Sequence, residues 1–306
     1  MIRLIPRKEI DEQWWNGIVS RSRHETVYPY AWYLDAVVDN WSLLAMKEQP
    51  YYMPVAWKKK MGIRYLYQPL STQQLGVLTV GDADPDPEIV RTFLLRLPRH
   101  FRMGDYAFNQ GNLVGEEAGF DVQDNTNYEL NLDRLYEKIH KQYTTNTRRN
   151  INKAFQAGLQ VTDKIGMEEF IEQRRAHDPL RRSDRVYDVL TRLVYSLVNT
   201  GKGTILGIRN RQGTLIAAAL FASCEHRSVY LHSFSDEEGR EHRSMFQVID
   251  HFIQMHAGEP RILDFEGSNI PTIARFFAGF GARPVIYQRV SFNRLTAGLK
   301  KRRYRG

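Results

Sequence analysis

At 306 residues, with 42% hydrophobic and 12% aromatic content, the chain is long enough for two domains of ordinary size and too apolar to be disordered. Its net charge of +8 is concentrated at one end, where Lys300, Lys301, Arg302, Arg303 and Arg305 of KKRRYRG supply +5 and leave +3 on the body, a poor footprint for a dedicated nucleic-acid binder. No run approaches the roughly 18 apolar residues of a membrane span, and MIRLIPRKEIDEQWW lacks the apolar core of an export signal.

One cysteine, Cys224, excludes an internal disulfide and fits a cytoplasmic setting; following the apolar run 215–222, it is expected to be a packed thiol. Helices are expected over 9–20 and 30–39, then strands over 41–48 and 51–58 joined at Gln49-Pro50, and a strand over 64–68. A polar loop, 69–76, carries Gln73 and Gln74. An amphipathic helix over 88–97 precedes strands at 106–109 and 128–132. Asp133 is an acceptable N-cap for one long helix running to about Ala157, ended by Gly158. A strand at 159–162, helices at 168–176 and 185–200, and strands at 204–209, 215–223 and 228–234 follow. A helix over 244–257 leads into 262–266, where Leu263 and Phe265 alternate with Asp264 and Glu266 as in a strand. Gly267, Ser268 and Asn269 break that strand, Pro271 suits the first turn of a helix, and Gly281 closes it before a last strand at 287–292. The pattern is α/β, an α+β mixed sheet with neighbouring antiparallel strands rather than regular βαβ alternation.

Several residues are suited to chemistry. Asp264 and Glu266 share one face of an otherwise apolar strand, which is costly unless they line a wet cleft or form a structural salt bridge. In SVYLHSFSD, Tyr230, His232 and Phe234 are expected on one face. His232 and Glu266 are both candidates for a general base, and the plainer reading of His232 is a hydrogen-bonded sheet residue. On a continuous helix Lys138, Lys141, Thr145, Arg148 and Asn152 share a face with Arg149 and Lys153 beside it, suited to phosphate or simply to solvent. No HExxH, CxxC pair, P-loop or GxSxG occurs, so no metal is expected.

The run LDFEGSNIPTIARFFAGFGARPVIY, strand then polar break then capped helix then strand, resembles the C-terminal half of the GNAT acyltransferase fold. Its DFxGS…FxxFGA wording, and YTTNTRRNINKAFQAGLQV at 143–161, are similar to the FemABX-like branch of that superfamily. The resemblance implies two tandem GNAT-like domains, each a mostly antiparallel sheet flanked by helices, here 1–132 and 133–299 with a basic tail at 300–306. It implies ligand contact by Arg148, Arg149 and Lys153, with Gln73, Gln74, Ser268 and Asn269 as further substrate or phosphate contacts.

A GNAT acyl donor lies between the fourth and fifth core strands, its pyrophosphate on amides at the next helix N-terminus. Here that implies donor contacts from Phe234, Ser235, Gly239, Arg240, Arg243 and Ser244, although the second glycine of the usual cradle is missing. The catalytic set implied is Glu266, His232, Asp264 and Tyr230. The tyrosine acid used by many GNAT enzymes, four residues before the last helix glycine, is replaced by Phe277. The expected activity is N-acyl transfer, acetyl or aminoacyl, from acyl-CoA or aminoacyl-tRNA to a small-molecule or peptide amine. The alternative is a catalytically degenerate module that binds a phosphorylated or acidic ligand. Nucleic acid enters only as a tRNA donor.

Overall fold

Strand-forming alternation begins at once, with Ile2 buried at the start of β1 (Ile2–Pro6). It pairs antiparallel with β2 (Trp41–Met46), which pairs with β3 (Tyr52–Lys60), which pairs with β4 (Ile63–Leu66). Between β1 and β2 lie α1 (Glu12–Ser20) and α2 (Ala31–Val37). The Asp11 carboxylate caps α1 by accepting the Trp14 N–H at 2.7 Å. Then α3 (Pro87–His100), with Pro87 in its first turn and Val90, Phe93, Leu94 and Leu97 buried, leads to β5 (Met103–Ala107). β5 runs parallel to β4. β1 has no counterpart among the expected elements, because IRLIP is short, ends in a proline and carries no flanking turn signal.

The computed structural model describes residues 1–267 and 269–295; Ser268 and the tail at 300–306 lie outside them. The described chain divides into two compact units, one of Met1–Asn125 with the described residues from Ile286, the other Thr126–Val285. The expected cut at 132/133 therefore differs from the observed one at 125/126, and the strand β12 (Arg283–Asn293) returns to the first unit because Arg289–Asn293 pair antiparallel with β5.

The second unit begins within β6 (Asp121–Asn131), whose residues 129–131 pair with Ile262–Asp264. Next come α4 (Tyr136–His140), α5 (Thr145–Gln156), β7 (Val161–Thr162), α6 (Met167–Ala176) and α7 (Asp184–Asn199). Strands β8 (Gly203–Arg209), β9 (Leu215–Ser223) and β10 (Arg227–Ser235) follow, then α8 (Glu237–Glu241), α9 (Ser244–His256), β11 (Ile262–Asp264) and α10 (Pro271–Ala278). The sheet order is β7-β8-β9-β10-β11-β6, antiparallel except for β10 against β11. The first unit has the same pattern, β1-β2-β3-β4-β5-β12, with its parallel pair also in fourth and fifth place. Each sheet's sixth strand is thus supplied from the other half of the sequence.

The long helix expected over 133–157 is two helices. Tyr143 and Thr144 interrupt it, and the Thr144 hydroxyl caps α5 by accepting the Thr147 N–H at 3.2 Å. The Tyr143 ring is buried against Phe280, and its hydroxyl donates to Asp250 at 3.0 Å, an arrangement a straight helix would not allow. The aligned stripe from Lys138 to Asn152 is therefore broken. One face of the second sheet is covered by α5, α9 and α10, whose Phe252, Phe277 and Phe280 meet Phe221, Tyr230 and Phe265. α6 and α7 cover the other, where Phe170 meets Phe234.

Candidate active site

The geometry of β10 sets the site. Its parallel ladder with β11 covers only Arg227 to Val229, opposite Ile262 to Asp264. β10 continues to Ser235, but the Phe265 N–H donates to the Tyr128 carbonyl at 3.0 Å, so the chain leaving β11 follows β6 instead. The two parallel strands part beyond Val229. At the same place β10 bulges: Tyr230 opposes Phe221 and His232 opposes Leu220, so one extra residue is inserted on β10. The insertion inverts the alternation. Tyr230 packs with Phe221, Phe265 and Phe277, whereas Phe234 packs with Phe170 and stacks on His177 at 5.7 Å across the sheet's other face. The expected common face of Tyr230, His232 and Phe234 does not exist.

Beside the bulge, the end of α6 and the start of α7 carry a charged cluster that the sequence reading missed. Asp178 is buried and accepts the Tyr187 hydroxyl at 2.6 Å, the Leu180 N–H at 3.2 Å and Arg182 Nη1 at 2.9 Å. Arg174 Nη1 lies 3.5 Å from the same carboxylate. Burial alone would raise the Asp178 carboxyl, but the Tyr187 hydroxyl, the Leu180 amide and the two arginines outweigh it and hold it well below the usual range. His232 is half-buried on β10. Burial, reinforced by Arg174 and Arg182 and opposed by Asp178, pushes its imidazole down to about 3, so it is neutral at ordinary pH. Tyr230 is pushed up by burial to about 12, against a hydrogen bond with Ser233 and the nearby Arg174. The signal was present in the sequence as RRAHDPLRRSDR, an arginine-dense turn between two helices.

Asp264 belongs to a different, structural group. It is fully buried on β11, where its Oδ2 meets Arg227 Nη1 at 2.8 Å and its Oδ1 accepts the Glu266 N–H at 2.9 Å. Arg227 also meets Glu129 of β6 at 2.6 Å, so one buried guanidinium ties three adjacent strands. Burial would lower the Arg227 pKa, but Asp264 and Glu129 raise it overall. Of the two readings open for Asp264, the salt bridge is the one formed. Glu266 lies just past the strand and is half-buried with φ of 57°, a left-handed conformation that costs a non-glycine residue about 1 kcal/mol or more. Gly267 next to it also has positive φ, and a Cβ there would stand 2.2 Å from the Thr126 carbonyl oxygen. Asn269 accepts the Thr126 N–H at 3.1 Å, fixing the far side of the same turn.

No family model matches the sequence, and no curated protein matches it. Solved structures do. FemX superposes with a TM-score of 0.64 at 10% identity, covering 94% of this chain and 96% of its own. A conserved Bacteroides thetaiotaomicron protein of unknown function gives 0.61 at 10%, covering 96% and 100%, and L-PGS from Bacillus licheniformis gives 0.50 at 9%, covering 83% and 84%. The chain has the fold of FemX.

The turn after β10, where donor contacts were expected, is closed by its own side chains. The Asp236 carboxylate caps α8 by accepting the Gly239 N–H at 2.7 Å, and Arg240 Nη1 donates to the Ser235 carbonyl at 2.6 Å. Gly239 is buried because a Cβ would stand 2.3 Å from the Ile216 carbonyl oxygen, a packing reason rather than a ligand one. Arg243 sits at φ of 60° as the N-cap of α9, and Ser244 behind it is buried with an unpartnered hydroxyl, as is the Ser235 hydroxyl. Phe277, where the resemblance led one to look for a tyrosine acid, is a core side chain between Tyr128, Tyr230 and Phe265.

Of the α5 cations, Arg148 is half-buried. Arg149 and Lys153 are exposed, Arg149 donates to Asn146 at 3.1 Å, and α5 packs with α9 on the face opposite α6. Gln73 and Gln74 belong to the first unit, where Gln74 is buried and donates to Gln73 at 2.7 Å. Among the described residues no group of His, Cys, Asp and Glu side chains could hold a metal ion, and no helix is long and apolar enough to cross a membrane.

Proposed function

We propose that the second unit transfers an acyl group to an amine, with the reacting carbonyl held where β10 and β11 part. The parting is the observation that carries this reading. Beyond Val229, β10 has a sheet partner on one edge only, so alternate N–H groups on its open edge are available to a developing oxyanion. Glu266, held at the mouth of the same opening in a strained conformation, is the base we assign to the incoming ammonium. His232 is too weak a base for that task with its pKa near 3, and its role is to accept or donate a hydrogen bond as a neutral ring. Attack of the freed amine on the acyl carbonyl forms the C–N bond. Collapse of the tetrahedral intermediate breaks the bond to the donor's sulfur or oxygen, which leaves as thiol or alcohol with the proton that the amine nitrogen gives up.

The closed turn at Asp236 argues against α8 as the seat of a coenzyme A pyrophosphate, so an aminoacyl ester of tRNA is the donor we favour. That choice predicts steep salt dependence of donor binding. Thermal-shift titration with acetyl-CoA, long-chain acyl-CoAs and free CoA, beside aminoacyl-tRNA and mass-spectrometric detection of acylated amines, separates the donors. A saturable shift with CoA that survives moderate salt would reverse the choice. The second reading, a module that binds an acidic ligand without turnover, is favoured by Phe277 in the core, and it predicts binding with no product from either donor class.

A further inference from the structure

Arg174 is a half-buried cation with a buried, unpartnered Nε. Its side chain is 15% exposed, and its Nη1 is 3.5 Å from Asp178 Oδ1, a distance for attraction but not for a good hydrogen bond. Asp178 has no capacity to do more, since Tyr187, Leu180 and Arg182 already take up its lone pairs. The cluster thus holds two guanidinium groups against one carboxylate, a net charge of +1. A guanidinium with a buried, unused N–H is costly, and the cost is relieved when an oxyanion supplies the missing acceptor.

The position of this surplus charge is informative. Arg174 falls between Phe170 and His177 on one face of α6, and both of those rings meet Phe234 of β10, so Arg174 is on the face of α6 that packs on β10 beside its bulge. The surplus charge therefore stands beside the place where β10 leaves β11. Glu266 lies across the same opening, on the chain leaving β11. An amine acceptor bearing an anionic group would have its ammonium drawn to Glu266 and its anion to Arg174.

We propose that Arg174, supported by Arg182, binds a carboxylate or phosphate carried by the amine acceptor, so that the enzyme selects zwitterionic amines such as amino acids or amine phosphates. The proposal rests on the acyl-transfer reading for its orientation, but the anion site itself is testable without turnover. The probe is inorganic phosphate, with acetate and glycine in parallel titrations to tell phosphate from carboxylate, read by the NMR signals of the His232 ring. Each bound anion is expected to move those signals saturably. In Arg174→Gln the apparent affinity should fall roughly 10- to 100-fold, the range for one charge-assisted hydrogen-bonding group. Arg174→Lys, which keeps the charge and loses the planar fork, should fall in between, and Arg149→Gln on α5 should bind as the parent does.

Thermal melts confirm that each variant is folded. If Arg174→Gln does not fold, Arg174→Lys against the parent still decides the matter. A His232 signal that ignores all three probes, or unchanged affinity in the folded Arg174 variants, overturns the proposal. Failure to detect acyl transfer leaves this binding result intact, and detected transfer with no anion site at Arg174 refutes this inference alone.

Discussion

His232 and Glu266 are the residues whose environments depart furthest from their sequence context. For His232 the folded ring titrates near 3 while an unfolded histidine titrates near 6.5, so between those values the unfolded state binds more protons. Stability is then fully present above about pH 6.5 and is lost as pH falls toward 3; chemical denaturation at several pH values should show that slope, and His232→Gln should flatten it. For Glu266, two substitutions separate chemistry from strain. Glu266→Gln is expected to lower transfer far more than stability, whereas Glu266→Gly should relieve the left-handed backbone, leaving the Tm unchanged or higher while also abolishing transfer. Equal loss of both properties in Glu266→Gln would make the carboxylate structural. The carboxylate pair 264/266 was legible from alternation alone, but its division of labour was not. Arg227, which claims Asp264, sits 37 positions away on a neighbouring strand. The Arg174–Asp178 cluster was written in the sequence as an arginine-rich turn, yet local spacing cannot say which side chains of a turn are buried.

At the level of elements, periodicity located the helices and strands of the second unit closely, since α6, α7, β8, β9, β10 and α9 each begin and end within about two residues of expectation. Two departures have physical causes. The break at Thr144 follows from a capping hydroxyl and a buried tyrosine, both local features that a continuous polar stripe conceals. The β10 bulge leaves no mark in composition, because an extra residue in a strand is visible only once its partner's register is known. Gly239 illustrates the same limit. It is conspicuous in a loop where a phosphate-binding glycine is sought, but it serves close packing of α8 on β9. Gly239→Ala is accordingly expected to cost about 1–3 kcal/mol in equilibrium unfolding, as overpacking does. A destabilisation near zero would mean that the turn can shift away from Ile216 and that the close approach is not required.

For the whole molecule, length allowed two domains and element order with resemblance suggested a tandem pair; the two units share one strand order, which the sequence itself does not show as a repeat. Only strand register reveals that β12 completes the sheet begun by β1 and that β6 completes the one begun by β7. Fragments cut at 132/133 should therefore fail as independent domains, and a chain stopped after Val285 should aggregate, measurable by light scattering and loss of a cooperative melt, because β5 would keep an open edge. A soluble, cooperatively melting 1–132 fragment would contradict this. The returning strand also imposes an order of events during synthesis. β5 is complete at Ala107, but its partner begins to appear only at Arg283, roughly 10–35 seconds later at ordinary elongation rates. Throughout that interval the first half carries an unpaired β edge, so nascent chains are exposed to chaperones, and to one another on a polysome, for as long as the ribosome takes to reach the closing strand.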